Sequence, residues 1–185
     1  MNHRKFKGFT LIELLIVIGI IAILAGIVLV AVNPAEQFGK ANDSERKSEI
    51  GIILSAIYQY QTSPTARGAL PECLFNTVPT PIPECDPDSS GIGTGNGGFE
   101  GALELGTAAT SYDCSTVLVS SQLREIPIDP FETTYDETAT GYWVCQDTTG
   151  LVSKVYVIAE GAEVFTDDGG CELPGTTTPA MCVSG

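Results

Sequence analysis

The chain has 185 residues, 23 acidic and 9 basic, a formal net charge of −14, and 43% hydrophobic residues. That length holds about one domain of ordinary size plus an appendage. From residue 62 onward three basic residues (Arg67, Arg124, Lys154) stand against eighteen acidic ones, a balance that favours solubility and argues against direct nucleic-acid binding through a basic patch.

The apolar residues are unevenly placed. Arg4, Lys5 and Lys7 precede a run from Phe9 to Val32 whose only charge is Glu13. The run is long enough to cross a bilayer as a helix. Lysine and arginine beside a membrane segment stay cytoplasmic, so everything after the run is expected outside. Gly19 and Gly26 lie within it, as glycines do where membrane helices approach closely.

After Asn33-Pro34 the sequence continues AEQFGKANDSERKSEIGIILSAIYQYQ. Ile50, Ile53, Leu54, Ile57 and Tyr58 recur at steps of three and four, the stripe of an amphipathic helix. Asp43, Glu45, Arg46, Lys47 and Glu49 in the preceding turns are expected to form a solvated, mixed-sign surface. One helix of roughly 50 residues is predicted, bent or unwound at Pro34, where a backbone hydrogen bond is lost.

The helix should end near Thr62-Ser63-Pro64. Residues 64–111 carry six prolines and the run GIGTGNGG, which lacks the strand and the Gly-Lys-Ser/Thr of a phosphate loop and reads as a surface excursion. Ser115 to Arg124 predicts a short helix with a serine or threonine cap. Ile126-Pro127-Ile128-Asp129-Pro130 predicts a turn-rich crossover. Gly141–Gln146 and Leu151–Ala159 predict a hairpin in which Val155–Ala159, apolar on both faces, is a central strand.

All six cysteines (Cys73, Cys85, Cys114, Cys145, Cys171, Cys182) lie in the part expected outside, where disulfides persist. Fifteen pairings are open; local staples, Cys73–Cys85, Cys114–Cys145 and Cys171–Cys182, are the pairing adopted here. No C-x-x-C spacing suggests zinc. The single histidine, His3, precedes the apolar run, so Ser-His and Cys-His catalytic pairs are absent and no enzyme is expected. Glu160, Glu163, Asp167 and Asp168 gather around an Asp-Asp-Gly-Gly turn. Glu160, Asp167 and Asp168 are weak calcium candidates, since calcium takes six to eight oxygens; the alternative is an acidic surface turn. No other cofactor is expected.

Lys7-Gly8-Phe9-Thr10-Leu11-Ile12-Glu13-Leu14-Leu15 resembles the prepilin signal of bacterial type IV pilins and type II secretion pseudopilins. A short basic leader ends in glycine, phenylalanine follows, and a glutamate stands fifth after the cut. Ile126 to Tyr135, IPIDPFETTY, is similar to the proline-aspartate-proline segment before the hairpin of many small pilins and major pseudopilins. The resemblance implies an α+β, type IV pilin-like fold: a long N-terminal helix, its first half transmembrane, packed on a small antiparallel sheet with disulfide-stapled loops. It divides the chain into a leader (1–8), a membrane or filament-core helix (9–32), its amphipathic continuation (33–61) and a globular head (62–185).

It further implies that a prepilin peptidase cuts between Gly8 and Phe9 and methylates the Phe9 amine. Inner-membrane assembly machinery would then stack subunits into a homo-oligomeric helical filament serving adhesion, motility or DNA uptake, with Phe9 and Glu13 as assembly residues. The protein would pass from a single-pass inner-membrane precursor to an extracellular pilus. A periplasmic pseudopilus of a type II secretion system is the alternative, and a membrane-tethered exported enzyme a remote one.

Overall fold

The computed structural model describes residues 8–31, 33–85, 101–119, 122–131, 134–148, 153–159, 161 and 181–184. Helix α1 runs Leu11–Ala31 and α2 runs Pro34–Thr62. Pro34 therefore opens a helix. Proline is suited to a first helical turn, where its missing N–H costs nothing, and the Asn33 carbonyl before it accepts from Gln37 N at 3.2 Å. The helical run is interrupted at Asn33-Pro34, where the sequence predicts a bend or local unwinding.

The chain divides into two compact units, residues 1–38 and 39–185. The first holds α1, apolar on every side and exposed from Leu11 to Val28. At 21 residues it extends about 31 Å, close to the roughly 30 Å of a bilayer's hydrocarbon core. Among the described residues, Leu11–Val28 is long and apolar enough to cross a membrane.

The second unit is built on the inner face of α2. Ile50, Ile53, Leu54 and Ile57 are buried, as their spacing predicts, and share one cluster with Tyr142, Val144, Val155 and Val157. Each such side chain contributes roughly 1.5–3 kcal/mol by leaving water. A four-stranded antiparallel sheet, ordered β3-β4-β5-β6, supplies the other wall: β3 Leu103–Glu104, β4 Tyr142–Asp147, β5 Lys154–Ala159 and β6 Met181–Ser184. In the β4–β5 register Tyr142 meets Ala159, Val144 meets Val157 and Gln146 meets Val155, so the large core residues alternate along each strand. The opposite face buries Cys145 and Ile158 under a smaller cluster with Ala102. Strand β5 is therefore covered on both faces and paired on both edges, the central strand its sequence predicts.

Three expectations are corrected. First, strands occur where the sequence predicts no element: β1 Glu72–Phe75 and β2 Val78–Pro81 form a hairpin, and β3 follows; the run GIGTGNGG, expected as a surface excursion, lies outside the described residues. Two prolines in β2 are tolerated because they alternate. Leu74, opposite Pro79, turns its N–H and C=O toward Asp113 at 3.0 and 2.8 Å, so the ladder needs no donor from Pro79. Second, Ser115 to Arg124 is not a regular helix. It begins as one π-type turn, Ser115–Val119, and its leading amide, Ser115 N, donates to Asp113 Oδ1 at 2.9 Å. The cap is an aspartate two residues upstream, not a serine or threonine.

Third, the cysteines pair across the fold. Cys73 joins Cys114 and Cys85 joins Cys145, replacing the local pairs Cys73–Cys85 and Cys114–Cys145. The antiparallel Leu74–Asp113 bridge sets residues 73 and 114 side by side. At the parallel Glu84–Gln146 bridge Cys85 N donates to Gln146 O at 2.8 Å, which brings Cys85 diagonally within reach of Cys145. Sheet register chose the partners, and spacing in sequence did not. The pair Cys171–Cys182 lies outside the described residues.

Candidate functional site

The signal residues stand at the head of α1. Gly8, Phe9 and Thr10 are exposed and lie outside the helix, which begins at Leu11. Phe9 is 86% exposed. A Cβ added at Gly8 would meet nothing within 4 Å, so this chain's own packing places no demand for glycine there. An exposed, non-helical peptide bond with no side chain before it is one that an enzyme cleft can grip.

Glu13 has a local partner that the reading of its charge alone overlooks. Thr10 donates to Glu13 Oε2 twice, from its backbone N at 2.9 Å and from its hydroxyl at 2.7 Å, and Thr10 Oγ1 accepts from Glu13 N at 3.3 Å. This is a capping box, with Thr10 as N-cap and Glu13 three residues on, each side chain satisfying the other's backbone donor. The signal was present in the sequence as Thr10-x-x-Glu13 before an apolar run. In an apolar medium the box matters more than in water, since orphan N–H groups at a helix start then have no solvent to bond. Both donors go to Oε2, and Oε1 takes no part in the box.

The second constellation sits on α2. Asp43 and Arg46, predicted as part of a solvated surface, are instead 0% and 1% exposed, and Asp129 is 0% exposed. Arg46 donates to both Asp129 oxygens, from Nε at 2.7 Å and Nη2 at 2.8 Å, and to Asp43 Oδ1 from Nη1 at 2.8 Å. Burial works against the guanidinium charge, but the bonds and charges of Asp129 and Asp43 outweigh it, so Arg46 is held protonated well above its ordinary value. Extending the α2 stripe back from Ile50 by fours and threes gives 46, 43 and 39, all buried. That spacing could have revealed the first two members; Asp129, in the Ile-Asp-Pro crossover, is 83 residues away. One turn on, the Tyr142 hydroxyl donates to Glu49 Oε2. Burial raises the Glu49 carboxyl above the usual range, with the Tyr142 bond partly offsetting it.

The calcium candidates Glu160, Asp167 and Asp168, with Glu163, lie outside the described residues, as do Cys171 and the side chain of Cys182. Among the described residues no group of three His, Cys, Asp or Glu side chains is arranged to hold a metal ion.

Residues 3–29 match the family model described as the prokaryotic N-terminal methylation motif. No curated protein and no solved structure matches the chain. The match spans the basic residues, Gly8, Phe9, the capping box and most of α1. This segment is a prepilin-type signal of the kind carried by type IV pilins and pseudopilins, and it implies processing by a prepilin peptidase.

Proposed function

We propose that this chain, a bearer of the prepilin-type signal, is a structural subunit of a type IV pilus, assembled through α1 after cleavage between Gly8 and Phe9. The observation that carries the reading is the methylation motif lying on a helix whose described apolar side chains, Leu11 to Val28, are exposed. A helix this apolar has two acceptable surroundings, lipid or a bundle of like helices. Leaving the membrane for a filament exchanges one for the other. The membrane anchor becomes the filament core.

The cut creates a positive amine on Phe9. In the stack, Glu13 keeps its cap through Oε2 and offers Oε1 to the Phe9 amine of a neighbouring subunit, neutralising two charges that would each be costly alone in an apolar core. Slippage by a turn would leave both unpaired, so the pair also sets axial register.

A second reading, a pseudopilin of a type II secretion system, draws support from the Pro-Asp-Pro crossover, whose aspartate is built into the head through Arg46. Disulfides, each contributing roughly 2–4 kcal/mol, favour a fibre exposed outside the cell. Mass analysis of the mature N-terminus and electron microscopy of material sheared from cells test both. The pilus reading expects N-methylated Phe9 as first residue and this chain in the sheared filaments. Mature Phe9 without surface filaments favours the pseudopilin, and a start beyond Val32 sinks both.

A further inference from the structure

The crossover, residues 124–131, is a strap with hollow space on two sides. A cavity of about 470 Å³ has Glu125, Ile126, Pro127 and Ile128 along one wall, facing Glu49 and Thr140. Another, of about 440 Å³, lies between Asn42 and Glu45 of α2 and the strap's Ile128, Asp129 and Pro130. Ile128 is 38% and Phe131 51% exposed, so beyond Ile126 the strap's larger apolar side chains remain partly in water. Pro127 and Pro130 have no N–H to give. The strap's holdfasts are polar and converge on one residue. Asp129 N donates to Thr140 O at 2.9 Å, Asp129 Oδ1 accepts from Phe131 N at 2.9 Å, and both Asp129 oxygens accept from Arg46.

We propose that the Asp43–Arg46–Asp129 trio is a latch: it selects one placement of the 124–131 strap on α2, and opening it frees the strap while the rest of the head stays folded. A buried ion pair is a poor source of net stability, because desolvation cancels most of the attraction, but its geometry is exacting. Here the guanidinium fork accepts one carboxylate in one orientation, and Asp43 pins the remaining edge of that fork. Gly161 closes the site from a third side. A Cβ there would stand 2.9 Å from both Arg46 Nη2 and Asp129 Oδ2, so the pocket admits the pair and nothing larger. A strap flanked by two cavities has room to shift, and the latch holds it in one place.

The test is hydrogen exchange read by mass on the full-length protein in detergent micelles. Arg46→Lys keeps the charge and removes the fork. It should speed exchange of peptides covering 124–131 by about tenfold or more, while those from β4 and β5 keep wild-type rates. The apolar set Asp43→Leu, Arg46→Met, Asp129→Leu should melt within a few degrees of wild type and still exchange fast in the strap. Where Arg46→Lys fails to accumulate, Asp43→Asn takes its place under the same criteria. The latch is refuted by unchanged strap exchange, by strap and β4 accelerating together, or by an apolar set that restores slow strap exchange or melts far below wild type. None of these readings requires a filament, so they stand apart from the test of function.

Discussion

Glu13 caps α1 through Oε2, and the proposed pair with a Phe9 amine would use Oε1, so the two roles are separable by substitution. Glutamine retains a capping oxygen but carries no charge, whereas leucine removes both. If the amine pair drives assembly, Glu13→Gln and Glu13→Leu should both be inserted and cut normally, yet both should yield far less sheared filament than wild type. Leucine should be worse, because it also leaves Thr10 N without its acceptor. The measurement is sheared filament against membrane-bound mature subunit, with cleavage confirmed by mass. Full assembly from Glu13→Gln would reduce the carboxylate to a cap. Glu49 offers a second single-residue test. Its native value is raised by burial, so its contribution to stability is present below the unfolded value near 4.5 and is lost as pH rises through the raised native one. Glu49→Gln stays neutral throughout while still accepting from Tyr142. Its melting temperature relative to wild type should therefore be more favourable at about pH 7 than at about pH 4. A difference of opposite sign would show that the Tyr142 bond outweighs burial.

At the scale of elements, the β1–β2 hairpin turns on Asn76 and Thr77, with φ of 50° and 67°. Asparagine accepts this left-handed region readily, but a β-branched residue does not. Thr77→Gly should stabilise the head by about 0.5 kcal/mol, the relief of strain being partly cancelled by glycine's greater freedom when unfolded. The check is a denaturant midpoint that moves up with unchanged slope. The disulfides close loops of 41 and 60 residues, and removing either as a paired Cys→Ser change should cost about 4 kcal/mol on the chain-entropy account. These same elements mark where the sequence was legible. The α2 stripe and the β4–β5 hairpin are periodic within a single segment, and periodicity is local. Strand β2 was hidden because prolines at alternate positions read as loop unless the register that spares their missing donors is known. Cysteine partners, and the burial of Asp43 and Arg46 against Asp129, depend on segments distant in sequence being brought together. The capping box was local and legible; attention to the carboxylate's charge obscured its geometry.

For the whole molecule, the N-terminal segment and the remainder answer to different surroundings. The head satisfies its own polar groups: among the described residues no buried side-chain nitrogen or oxygen lacks a hydrogen-bond partner. Helix α1 is the reverse, with Leu11, Ile12, Leu14 and Ile23 at least 61% exposed among the described residues, an apolar surface suited to lipid or to like helices. On the proposed function, Gly8 controls the passage between the two surroundings. Among the described residues nothing opposes a larger side chain there, so Gly8→Val should fold and insert as wild type does, and its effect should fall on the peptidase alone. Uncut protein keeps Arg4, Lys5 and Lys7, three charges that lipid tolerates because they rest at the cytoplasmic surface. Inside a bundle of apolar helices they would have no counter-charge, and Glu13 would meet a peptide bond in place of an amine. Unpaired buried charge is strongly unfavourable, so assembly should fail even when the export machinery is intact. The expected result is wild-type levels of full-length protein in the membrane fraction, a normally melting head, and no sheared filament containing the variant. Filaments carrying the uncut leader would show that the core accommodates charge and that the cut is not what releases the helix from the bilayer.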